Sequence, residues 1–293
     1  MVRIRTPCLT GGGPRRQWQM GQPAGWAPAK DAAGAESMIA SMKGVQAVSQ
    51  AGDAMRSWWL CCLGYLILSG CASPPIPGVV QPNPGERLEV IPGPMPGFGP
   101  FPSHPDALMA ACPLVLGLPN AVAGRPDAQN FELYWRTSKE YCAWIYYTPD
   151  GMYEMSMLAV SAVQDDARMR QCRLPSVVSD SRYRADEIQY LFVVHNHPYE
   201  GEISRNDIRF IVEQGAVHGF SVKTKDRDVP ISIIAFYSRA ERGNATCDGF
   251  FQYIPLTREL MKWSIGDEGK WKDEVYGRVE WRGDDFDIIY EAK

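Results

Sequence analysis

The sequence predicts an α+β domain, a mixed β-sheet with flanking helices, over residues 106–293. Three observations lead there. Glu140 to Tyr147 is an aromatic-rich run that ends in Thr148-Pro149-Asp150-Gly151, and Met152 to Val160 reads as its returning strand. Turn residues between two such runs mark a β-hairpin. Tyr190 to Val194 is a short apolar run, as expected of a buried strand. Ser204 to Gly215 carries the start, apolar face and stop of a helix, and more strand-like runs follow. A hairpin, a strand, a helix and further strands are satisfied by packing helices on a mixed sheet.

Taken in order, Asp106 to Gly117 has helical propensity with an Asp or Ser cap, and Pro113 disturbs its second half. Phe131-Glu132-Leu133-Tyr134-Trp135 reads as a short strand. Residues 162–187 are polar and charged, which predicts a long loop placed to cover a site. In the 204–215 helix Ser204 caps, Asp207 completes a capping-box pattern, and Ile208, Ile211 and Val212 form one apolar face. Gly215 closes it. Phe220 to Lys225 and Ile231 to Tyr237 are strands, Arg258 to Trp263 a short helix, and Glu274-Val275-Tyr276 begins further strands. There is no internal repeat.

The N-terminal third differs in character. Residues 1–54 lack hydrophobic periodicity and read as a disordered extension or an upstream mis-start, with translation beginning at Met55. Met55-Arg56-Ser57, the apolar run Trp58 to Leu68, and small residues before Cys71 have the layout of a signal peptide over 55–71. The run is too short for the roughly 20 residues of a spanning helix. Leu68-Ser69-Gly70-Cys71 resembles a bacterial lipobox, which implies lipidation of Cys71, a membrane contact through that anchor and, with Ala72 following, the outer membrane. The alternative is a buried apolar helix of a cytoplasmic protein. From Pro74 to Pro105 there are eleven prolines, so residues 72–105 read as an extended tether with His104 incidental to it. A net charge of -4 provides no basic field for nucleic acid. Of eight cysteines, Cys112, Cys142, Cys172 and Cys247 fall in the domain, an even number whose pairing the sequence leaves open.

The chemistry concentrates in Val193-Val194-His195-Asn196-His197-Pro198 and Ser204-Arg205-Asn206-Asp207. Two of the four histidines stand two apart at the end of an apolar run. Residues i and i+2 of a strand share a face, about 6.6 Å apart. Their imidazoles can therefore converge on one ion, and neutral imidazole is a preferred zinc ligand. Asp207, in the first turn of the next helix, can swing back to the strand's end. Two imidazoles and a carboxylate leave one position open, the arrangement of a catalytic zinc (Zn²⁺) site.

This pattern resembles the signature of the JAMM/MPN+ metalloprotease family, zinc-dependent peptidases and isopeptidases in which HxHP precedes Ser-x-x-Asp. A glutamate precedes them at an earlier strand, often within Glu-x-Cys-Gly; here Glu140-Tyr141-Cys142-Ala143 takes that place. The resemblance implies a cytidine-deaminase-like, JAMM-type three-layer fold over 106–293. It implies zinc held by His195, His197 and Asp207, with Glu140 as general base and Ser204 helping to hold the developing oxyanion. Glu132 and Glu154 compete with Glu140 for the base. The loop between His197 and Asp207 is one residue shorter than the family's usual one, and Ala143 replaces the glycine. The implied substrate is a peptide, an isopeptide or a cell-wall cross-link; the alternatives are an inactive JAMM-like binding or assembly module on an anchored envelope protein, or a tethered effector domain. His218 reads as a cap or surface residue, Trp263, Trp271 and Trp281 as core and hairpin aromatics, and Glu200 and Glu202 as solvated loop charges. Oligomeric state is not legible.

Overall fold

The computed structural model describes residues 75–82, 86–161, 173–266 and 271–291. The extension 1–54, the signal-like segment 55–71 and Cys71 lie outside the described residues. The chain runs β1 (Val79–Val80), β2 (Val90–Gly93), α1 (His104–Leu116), α2 (Phe131–Thr137) and β3 (Tyr141–Tyr147). Then come β4 (Tyr153–Met155), β5 (Leu158–Val160), β6 (Val177–Asp180), β7 (Gln189–Asn196) and α3 (Arg205–His218). β8 (Ser221–Lys223), β9 (Asp228–Pro230) and β10 (Ser232–Tyr237) follow, before β11 (Gly249–Ile254), β12 (Glu259–Ile265), β13 (Trp271–Arg282) and β14 (Asp285–Tyr290).

Among the described residues one mixed sheet has the order β1-β5-β3-β7-β10-β11-β12-β13-β14, with β4 pairing β3. β3 and β7 are interior strands covered on both faces: every residue of β3 is buried, and so are all of β7 after Gln189. β3 runs antiparallel to β7, and β7 parallel to β10. A parallel pair needs a crossover, and the segment between β7 and β10 supplies it with α3. Side chains alternate across the sheet. Val194, Ile234 and Phe236 face α1, whose Ala107, Ala111, Val115 and Leu116 are buried with them. Val193, Ile233 and Ala235 face α3 through Ile208 and Ile211. The layers are therefore helix, sheet, helix, and the α+β class with flanking helices holds. Each fully buried large apolar side chain, such as Ile145 or Phe236, contributes about 1.5–3 kcal/mol relative to exposure.

Several expectations need correction. Phe131–Thr137 is a helix: Glu132 and Arg136 pair one turn apart at 3.2 Å, and none of its residues is buried, so no sheet face was there to claim it. Arg258 to Trp263 is not a helix. Arg258 takes a left-handed turn at φ 62° and Glu259–Ile265 pairs with β11 and β13, so ladder pairing overrides local propensity. The described part of the 72–105 tether is not free: β1 pairs β5, β2 pairs β6, and Ile91, Met95 and Phe98 are buried. Few as they are, the apolar residues between its prolines reach the core. His104 is not incidental either. It opens α1 behind the Ser103 cap, packs on Tyr153 and Phe192, and accepts from Arg227, while burial and then that guanidinium lower its pKa to about 4. Within 162–187, residues 177–180 form β6, and 162–172 lie outside the described residues.

Other readings agree with the fold. The 140–160 hairpin forms through β3 and β4. Trp263 stacks on Phe250 and Trp281 packs on Phe286. Cys112 bridges to Cys247 across 135 residues, and Cys142 is also disulfide-bonded.

Candidate metal centre

Strand geometry brings the two histidines together. His195 lies opposite Cys142 on β3 and Ala235 on β10, so its backbone is fixed from both sides. The N–H of His197 extends the β10 ladder by donating to the Phe236 carbonyl at 2.8 Å. Pro198, with no N–H, ends the ladder there. The loop then turns into α3, where Ser204 and Asp207 form a reciprocal capping box. The helix start that satisfies the backbone thus delivers the carboxylate to the end of the strand.

His195 Nε2 lies 3.7 Å from Asp207 Oδ1, and His197 Nε2 lies 3.8 Å from Asp207 Oδ2. One donor atom from each of the three residues falls within 4.8 Å of the others. Donors around a tetrahedral zinc at about 2.0–2.1 Å stand roughly 3.3 Å apart, so little adjustment is needed. His195 is buried, and neither ring nitrogen meets a partner at ordinary hydrogen-bond geometry, the Ile234 backbone acting on it only weakly. A buried polar pair left unsatisfied is costly, and a cation at Nε2 would satisfy one of them. His197 Nδ1 lies 2.7 Å from the Gly201 carbonyl. A carbonyl only accepts, so Nδ1 holds the proton and Nε2 presents its lone pair. These residues fit zinc.

The charges agree with that donor set. Burial lowers the pKa of His195 to about 4 and outweighs the opposing pull of Asp207. Burial acts the same way on His197, but the hydrogen bond and charge of Asp207, with Glu140 and Gly201, carry its pKa upward. Asp207 is held well below the usual carboxylate range by His195, His197 and Ser204, against its own desolvation.

Glu140 stands just before β3 and is half-buried. Two cavities flank the three ligands. An inner one of about 20 Å³ is lined by Glu140, Cys142, Leu174, His195 and Asp207. An outer one of about 240 Å³ is lined by Trp135, Glu140, His197, Tyr199, Ser204 and Asp207. Glu140 borders both. Its competitors do not: Glu154 is buried in a salt bridge to Arg182, and Glu132 is exposed and paired with Arg136. The Ser204 hydroxyl donates to Asp207 Oδ2 at 2.6 Å, and its Oγ accepts the Asp207 N–H. Ser204 borders the outer cavity, and here its hydroxyl proton is committed to the aspartate.

Sequence reasoning gave no role to Asn196, which is wholly buried between the two histidines. Its Nδ2 donates to the carbonyls of Ala121 at 2.7 Å and Lys139 at 3.0 Å, and its Oδ1 accepts the Tyr141 N–H at 2.8 Å. The available signal was strand alternation, which sends residue i+1 to the opposite face. Glu200 is not a solvated charge, since Arg239 and Lys262 both pair with it. His218 ends α3 stacked on Tyr190 at 3.9 Å, away from the cluster. Compared with models of known families, with curated proteins and with solved structures, the chain matches none.

Proposed function

We propose that residues 106–293 form a zinc-dependent hydrolase that cleaves an amide bond in a peptide, an isopeptide or a cell-wall cross-link. The observation that carries this reading is the convergence of His195, His197 and Asp207, with Glu140 bordering the cavities on either side. Bound zinc would supply a Lewis acid and bring the pKa of water towards 7. Glu140 accepts the proton of the attacking water at its carboxylate and returns it to the leaving amine. Ser204 fixes the orientation of Asp207 and, on rotating its hydroxyl, can donate to the oxyanion that develops in the outer cavity. The Cys112–Cys247 bridge favours an exported protein, because disulfides persist in oxidising compartments, and the lipobox-like Cys71 favours a membrane anchor. Among the described residues no helix is long and apolar enough to cross a membrane.

The test is metal analysis joined to hydrolysis. Wild type should hold one zinc ion per chain, His197→Ala none, and Glu140→Gln the full amount. On internally quenched peptides, lysine-isopeptide probes and purified peptidoglycan, Glu140→Gln should lose at least about a hundredfold in kcat. Full activity in zinc-loaded Glu140→Gln would remove the assigned base. A wild type that binds no zinc would remove the whole reading.

A further inference from the structure

We propose that Asn196 is a positioning residue that holds Glu140 at the metal centre, an inference that rests on the hydrolase reading above. Lys139 C=O and Tyr141 N–H flank Glu140 on either side, and Asn196 binds both. On the β7 side the ladder begins only at Cys142, opposite His195. Without the Asn196 amide, these two peptide groups would meet no partner from β7. From the other side, Ser161 accepts the Glu140 N–H at its Oγ at 3.0 Å and donates its own N–H to the Glu140 carbonyl at 2.8 Å. The backbone of Glu140 is therefore gripped from two strands while its side chain borders both cavities.

Three consecutive residues divide the work by alternation. His195 and His197 face the metal, and Asn196, on the opposite face, anchors the segment that carries the base. One strand end thus sets the ligands and the place of Glu140 together. The chemistry asks for asparagine. Both Nδ2 hydrogens meet carbonyls and Oδ1 meets an N–H, so aspartate has the shape without the donors, and leucine would leave three buried groups unpaired. Glutamine is a methylene too long for a fully buried site.

The experiment compares the full chain as wild type, Asn196→Asp, Glu140→Gln and the double variant, using the quenched peptide or lysine-isopeptide probe that wild type cleaves fastest. All four should hold one zinc ion. Asn196→Asp should lose about tenfold to a hundredfold in kcat with KM nearly unchanged, and should cost nothing further in the Glu140→Gln background. The Glu140 amide, which shares its peptide group with the Lys139 carbonyl that loses its donor, should exchange its hydrogen at least about tenfold faster while the Ile145 amide does not change. An unchanged Glu140 amide, or a kcat loss that multiplies with that of Glu140→Gln, overturns the proposal. Should Asn196→Asp fail to fold, Asn196→Ser, which offers one hydroxyl in place of the two amide donors, takes its place, and its kcat loss should likewise vanish in the Glu140→Gln background. A zinc-loaded wild type that cleaves no probe removes the hydrolase reading instead, and the amide exchange then decides alone whether Asn196 fixes this segment.

Discussion

At the scale of single residues, the two histidines of one strand end behave differently because their surroundings differ. His195 is buried with at most a weak contact to the Ile234 backbone, and burial lowers its pKa to about 4. His197 has Asp207 and Glu140 near it, and its pKa lies above the ordinary 6.5. Asp207 is ionised across the whole range. Below the raised pKa of His197, metal must therefore displace one proton, not two. Zinc affinity should rise about tenfold per pH unit from pH 5 until His197 is neutral, and then level off. Competition titrations from pH 5 to 8 check this. A slope of two protons would show that His195 titrates in the same window and that its environment is misread. The HxH pair and Asp207 were legible from spacing alone. The clamp by Asn196 was not, because its partners Ala121 and Lys139 are distant in sequence and only folding brings them near.

At the scale of elements, α3 does two jobs with one cap. Ser204 satisfies the helix N-terminus and orients Asp207. Ser204→Ala should destabilise the fold by about 1 kcal/mol, as lost caps do. Because the same hydroxyl supports a ligand, zinc affinity should fall roughly tenfold or more. Urea unfolding and zinc titration on the same variant separate the two effects. If affinity is untouched while kcat collapses, the hydroxyl serves the oxyanion and not the ligand. Elements with strong local rules were readable: the helix behind Ser204 has its cap and apolar face, although it runs through the expected stop at Gly215 to His218 and ends at Gly219, and the 140–160 hairpin has its turn. Two short elements were misread in opposite directions. Phe131–Trp135 looked like a strand but finds no sheet edge, and Arg258–Trp263 looked helical but lies between two ladders. In segments this short, neighbours outweigh propensity.

At the scale of the molecule, the Cys112–Cys247 bridge ties α1 to the loop before β11, on the sheet face away from the metal centre. Its separation of 135 residues gives a chain-entropy contribution of up to about 5 kcal/mol. The paired variant Cys112→Ser with Cys247→Ser should lose much of that in urea unfolding while keeping one zinc ion per chain. Loss of zinc in the folded variant would show that the two faces are coupled. The Pro/Gly segment teaches the same lesson from the other side: its composition argues against regular structure, yet β1 and β2 find partners on the body of the domain. The sequence by itself determined the α+β class, the capped helix and the grouping of His195, His197 and Asp207, because periodicity, caps and HxH spacing act within a few residues. Only the tertiary structure decided which glutamate borders the site, that Cys112 pairs with Cys247 and what Asn196 grips. Those choices join segments tens of residues apart, and no local pattern carries the distance between them.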